Sequence, residues 1–175
     1  VVAVPKARGA NSDLYSLETA YGSAHGPLVT QKIKAAKKII FHALGDSGAS
    51  DVRKYHNELR VSDQVSIDCA QSNEANRPAF LFHLGDVVYS FGESQYYYDQ
   101  FYEPYRNYPA PVLAAAGNHD GMISPLRHQK SLESYLRNFC ADPAEGFVVR
   151  EEAGGLSRTA QIQPGVFFTF EAPFV

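Results

Sequence analysis

The 175-residue chain has no tryptophan, one methionine (Met122) and two cysteines, Cys69 and Cys140. Neither cysteine stands in a Cys-x-x-Cys pair, which excludes a zinc knuckle. Two small buried thiols are expected, with a single disulfide as the alternative. No apolar run approaches the roughly 20 residues that cross a bilayer, and no signal-peptide pattern is visible. The first residue is Val1 rather than Met, so a processed or trimmed N-terminus is expected, and any export signal would already be gone. Nothing in the sequence marks a compartment.

Charge of one sign is scarce as well. Sixteen Lys and Arg face 19 Asp and Glu, a net charge of -3. Such a chain is not built as a partner of nucleic acid or of an anionic membrane. The one basic run, Lys32, Lys34, Lys37 and Lys38, reads as a solvated lead-in to a strand. Gly-x-Ser-x-Gly elbows, P-loops and Asp-x-Asp-x-Thr nucleophile motifs are all missing, which excludes three common hydrolase scaffolds.

What is present suits one compact unit: 45% of residues are hydrophobic. Residues 1–36, rich in Gly, Ser, Pro and Ala, read as an irregular arm or surface layer with a short helix from Ser12 to Tyr21. From residue 37 the texture changes. Ile39 to Leu44 is a continuous apolar run that ends in Gly45-Asp46. Ala79 to Leu84 is a second, ending in Gly85-Asp86, and Pro111 to Ala116 a third, ending in Gly117-Asn118-His119-Asp120. Runs of this kind suit strands buried on both faces.

Helices are expected between the runs. One starts at Asp51, capped by Ser50 or Asp51, with Val52, Tyr55, His56 and Leu59 on its inner face. A second covers residues 94–103, carrying Tyr98, Phe101 and Tyr102 with Tyr105 just beyond, and a third holds Leu132, Tyr135, Leu136 and Phe139. A last strand is expected from Val166 to Phe170. The alternation is that of an α/β fold with parallel or mixed sheets.

In such folds the site forms beyond the carboxyl ends of the strands. A single Gly-Asp at a strand end is most simply a turn and a helix cap. Three polar ends on neighbouring strands are different, because they bring two carboxylates, an amide and an imidazole to one rim without counter-cations. Converging carboxylates repel, and a bound cation resolves that cost. His42 and His83, inside the apolar runs, read as hydrogen-bonded core histidines. His25 and His56 read as surface or packing residues. The Tyr96-Tyr97-Tyr98 cluster reads as structural, with stacking of an aryl or nucleobase leaving group as the alternative.

The ordered series Gly45-Asp46-Ser47-Gly48, Gly85-Asp86-Val87-Val88-Tyr89 and Gly117-Asn118-His119-Asp120 resembles the calcineurin-like metallophosphoesterase superfamily. Gly48 stands where that superfamily's usual opening has His, and Tyr89 where it has Asp; both departures resemble the purple acid phosphatase branch. The resemblance implies an αββα sandwich with mixed sheets and a hydrolase of phosphate esters. It implies two metal ions, iron with zinc, manganese or iron, and a metal-activated hydroxide. Asp46 and Tyr89 would bind the first metal, Asp86 would bridge, and Asn118 would bind the second. His119 would serve the leaving group, with Asp120 orienting its ring. Mn- or Zn-dependent phosphodiesterases and nucleotide pyrophosphatases of the same superfamily are an alternative, as is a non-catalytic binding module.

The superfamily site also takes three later histidines, one from a Val-x-x-His segment and two from Gly-His-x-His. After His119 this chain has only His128, in Leu126-Arg127-His128-Gln129, too early for either segment. Residues 37–175 are therefore expected to be the N-terminal part of such a domain. Its C-terminal half would be missing or supplied by a partner chain, and the piece alone inactive.

Overall fold

A computed structural model describes residues 13–126, 128–140 and 163–175. Three strands, β2 (His42–Leu44), β3 (Leu81–His83) and β4 (Val112–Ala114), pair in that order, all parallel. They are the three apolar runs of the sequence. A second sheet joins β1 (Leu14–Ser16) to β5 (Thr169–Glu171), again in parallel. Among the described residues every strand pair is parallel, so the expected mixed sheet is not seen there.

Side chains alternate across a strand, and the three-stranded sheet uses both faces. Leu81, Val112 and Ala114 face a core of Val87, Val88, Tyr97, Phe101, Tyr102, Tyr105 and Phe139. Phe80 and Leu113 belong to the other core, with Tyr15, Leu17 and Ala172 from the second sheet and its flanks. The rings of Phe80 and Phe170 meet edge-on at 5.0 Å between the two sheets. With helices α3 (Val52–Asp68) and α5 (Glu133–Phe139) added, this is an α/β fold.

Several local expectations need correction. The described part of the N-terminal stretch is not irregular: β1 runs into α1 (Leu17–Tyr21), and α2 (Gly26–Ala36) follows. Residues 14–16 extend because they gain a partner strand, a long-range pairing that local pattern does not announce. Helix α3 forms as expected, with Asp51 accepting from Lys54 N–H at 3.0 Å. Its inner face, however, is rotated. Val52 is 72% exposed and His56 is exposed, whereas Glu58 and Ser62 are buried. Residues 94–103 do not make one regular helix but a 3₁₀ turn (Ser94–Tyr96) and a π turn (Tyr98–Tyr102). The last strand is shorter and later, at Thr169–Glu171. Helix α5 carries Tyr135 and Phe139 into the core as expected. Cys140 is buried and Cys69 half-buried, and no disulfide joins them.

Candidate metal centre

Each of β2, β3 and β4 stops where the sheet surface ends, and the chain turns sharply. At the first two ends the turning residue is an aspartate in left-handed backbone: Asp46 at φ 53° and Asp86 at φ 52°. Aspartate tolerates that region better than most residues, but the conformation still costs about 1 kcal/mol or more and persists only where the surroundings enforce it. The enforcement is visible. Asp46 N–H donates to Gly85 O at 3.0 Å, and Gly48 N–H to Asp86 O at 3.3 Å. The echo between the two Gly-Asp ends is therefore a shared backbone geometry serving one rim.

Close approach dictates two glycines. A Cβ on Gly117 would lie 2.1 Å from Asp86 Oδ1. A Cβ on Gly48 would lie 2.7 Å from Cδ2 of the Tyr89 ring and 2.8 Å from Val87 O. Gly48 and Tyr89 thus fit each other: the space that a side chain would take at 48 is filled by the phenol.

Tyr89 ties the first two ends together. Its hydroxyl lies 2.9 Å from Asp46 Oδ1 and 3.0 Å from Asp86 Oδ2. Partial desolvation first, and then these two carboxylates, hold the phenol protonated well beyond its usual range. Asp86, buried, also accepts the His119 backbone N–H at 2.8 Å. Asn118 is exposed beside it and opens the short helix α4 (Asn118–Gly121). The structure thus brings Asp46, Asp86 and Tyr89 into contact and sets Asn118 and His119 at the same rim.

One expected pairing differs. Asp120 does not reach the His119 ring. Its carboxylate, fully buried, accepts from Val87 N–H at 3.0 Å, Val88 N–H at 3.4 Å and Gly117 N–H at 2.7 Å. It staples the second strand end to the third. Burial raises its pKa, and the three donors pull the other way. The His119 ring instead places Nδ1 2.8 Å from Ser90 O. A carbonyl only accepts, so Nδ1 carries the hydrogen and Nε2 is left for other work.

His83 is buried and hydrogen-bonded, as expected, and its partners belong to the site: Ser47 Oγ at 2.8 Å from Nε2, and Gly85 N–H at 3.3 Å from Nδ1. Burial lowers its pKa to about 4, against the pull of Asp46 and Asp86. The neutral ring accepts at Nδ1 and donates from Nε2 to Ser47, fixing the first turn on the second strand. His42, by contrast, is half-buried against the Tyr108 hydroxyl at 3.1 Å. His25, His56 and His128 are exposed.

Two glutamines were not legible as site residues. Buried Gln100 accepts the Tyr89 N–H at 2.7 Å and donates to Tyr89 O at 2.6 Å. This amide clamps both backbone groups of the tyrosine that bridges the carboxylates. Gln163 does the same for Ala114, bonding its N–H at 2.6 Å and its O at 3.1 Å. Such a clamp needs the π turn or the late chain in place, and no spacing rule signals it. The tyrosine cluster divides: Tyr97 is core, while Tyr96, with Tyr55, Asp51 and Asp99, lines a cavity of about 580 Å³ beside Tyr89.

The model of the calcineurin-like phosphoesterase family matches residues 29–169, a span that contains all three strand ends. The chain belongs to that family. No curated protein and no solved structure matches it significantly. The family supports metal-dependent hydrolysis of phosphoesters, and its members generally bind divalent metal ions.

The residues of this chain fit one such ion. The Tyr89 phenol oxygen lies within hydrogen-bond distance of both the Asp46 and the Asp86 carboxylate, an all-oxygen set whose two acids a cation would balance. Among the described residues no group of three or more His, Cys, Asp or Glu is placed to hold a metal, so the phenol is essential to the set. Among the described residues a second ion would have Asp86 and Asn118 alone.

Proposed function

We propose that the chain carries the first half of a dinuclear site that hydrolyses phosphoric esters, of purple-acid-phosphatase-like type. The observation that carries this reading is the Tyr89 hydroxyl bonded to both Asp46 and Asp86. Asp46, Asp86 and Tyr89 would hold the first ion, iron, and Asp86 and Asn118 the second, which is zinc, manganese or iron. Two such ions supply a nucleophile from water near neutral pH and neutralise the ester's charge.

The chain's own residues do the rest. Gly48 and Gly117 let the phenol and the third strand end approach. His83 and Asp120 hold the turns rigid, as partners behind metal ligands do. His119, its Nδ1 committed to Ser90 O, presents Nε2 to the leaving group as acid or charge stabiliser. A second reading, a non-catalytic binding module, is favoured by the sparse donors for the second ion.

The test is metal content per chain by elemental mass spectrometry, with the visible spectrum recorded after ferric loading. Iron binding with a phenolate charge-transfer band that Tyr89→Phe removes supports the proposal. Binding of manganese or zinc without colour points to a phosphodiesterase or nucleotide pyrophosphatase. Absence of any bound metal sinks the catalytic reading for this chain.

A further inference from the structure

Helix α3 turns an acid into the protein. Glu58 is 4% exposed, and neither of its carboxylate oxygens has a hydrogen-bond partner among the described residues. The hydroxyl of Tyr105, a fully buried residue, is also unpartnered. Both groups line one cavity of about 250 Å³, together with Asp46, Ser47, Lys54 and Asn57.

Neither protonation state resolves this arrangement. An ionised Glu58 lacks donors, and a protonated one lacks an acceptor for its own hydrogen. Burial pushes its pKa up to about 9; the Ser47 hydroxyl draws it down from outside hydrogen-bond reach, and Glu103 adds to the rise. Lys54, one turn earlier on the same helix, is the natural partner. Its amine instead donates to Ser50 Oγ at 3.0 Å and lies 3.9 Å from Asp51. An unpartnered acid and an unpartnered phenol around shared space call for an occupant that offers positive charge.

We propose that this cavity binds one small monovalent cation, potassium or sodium, through the Glu58 carboxylate and the hydroxyl oxygens of Tyr105 and Ser47. The three candidate ligand atoms are all oxygens, which selects a hard cation over a soft transition metal. Asp46 faces the Tyr89 hydroxyl at 2.9 Å, and Lys54, also in the lining, commits its amine to Ser50 and Asp51, so Glu58 is the one carboxylate left for a singly charged ion. The ion would rest against Ser47, whose Oγ is bonded to His83, and so would brace the turn that carries Asp46. The site uses no donor of Tyr89, Asp86 or Asn118 and stands whether or not the hydrolase reading holds.

Thermal unfolding of the full 175-residue chain in potassium, sodium or tetramethylammonium chloride, at equal ionic strength, tests it. The midpoint should rise by several degrees in potassium or sodium over tetramethylammonium, and the rise should follow a binding curve in cation concentration. Glu58→Gln should abolish that cation-specific part. Tyr105→Phe should raise the half-saturating concentration roughly tenfold, and it serves as the test should the Glu58 variant fail to fold. Equal midpoints in all three salts would overturn the proposal. So would a cation response that appears only in Lys54→Met, which would mean that the lysine itself swings in to fill the cavity.

Discussion

The three central strands share two rims, and the rims differ in kind. At the carboxyl rim two aspartates sit in left-handed backbone, two glycines admit contacts that no other residue would, and one phenol bridges two acids. At the amino rim lies a cavity of about 550 Å³, more than twice the volume of the one behind Asp46, walled by Tyr21, Ile33, Ile40, Ala79 and Pro109. Its charges lie at the surface and pair with neighbours, Lys32 with Glu74 at 2.8 Å and Lys38 with Asn76 at 2.6 Å. Left-handed Lys37 there merely ends α2. Space follows from how the layers meet; chemistry follows from backbone held against its preference and polar groups made to converge.

The sharpest way to break the contrast is Gly117→Ala. The new methyl would meet Asp86 Oδ1 and N at 2.1 and 2.3 Å, with no flexible end to yield. Metal affinity, read by titration calorimetry, should fall by about 100-fold or more, the upper range for loss of a group behind a ligand. Next comes Gln100→Leu, which leaves the Tyr89 N–H and C=O unpaired. A loss of about 2–4 kcal/mol in denaturant unfolding is expected, with weaker metal binding. Gln100→Glu, able to accept but not to donate, should fall between.

A pH effect is smaller and has a definite sign. Buried His83 takes a proton only near pH 4, whereas the unfolded chain takes it near 6.5. Its stabilising contribution is therefore intact above pH 6.5 and drains away as pH falls from there toward 4. In His83→Asn the drop in melting temperature over that window should be shallower than in the parent. The smallest effect belongs to the amino rim. Lys38→Ala should leave stability within about 0.5 kcal/mol and metal content unchanged. A large loss of metal there would erase the distinction between the rims.

The strand ends were legible because burial on both faces makes a strand a plain apolar run, and a ligand at its end stands out against it. Asp46, Asp86, Tyr89, Asn118 and His119 all meet at the rim that pattern indicates. The partners of Asp120 were not legible, because proximity in sequence suggested the His119 ring while the fold supplied three nearer backbone donors. The inner face of α3 was misread for a similar reason. Apolar spacing favoured Val52, but the helix lies over Ser47 and Tyr105 and buries Glu58 instead. Gln100 and Gln163 carried no signal at all, since a glutamine becomes a clamp only once a distant backbone is set opposite it.

The parallel pairing of β1 with β5 has a consequence for how the chain is made. Leu14 aligns with Thr169, roughly 150 residues further on. At ribosomal speeds of about 5–20 residues per second, the first strand emerges roughly ten to thirty seconds before its partner exists. Through that interval Tyr15, which ends up buried, lacks the rings of Phe168 and Phe170 that later pack against it. The nascent chain thus carries a sticky leading edge until nearly the last of these residues is synthesised, and a chaperone that holds such edges should raise the yield of folded protein more than one that acts after release.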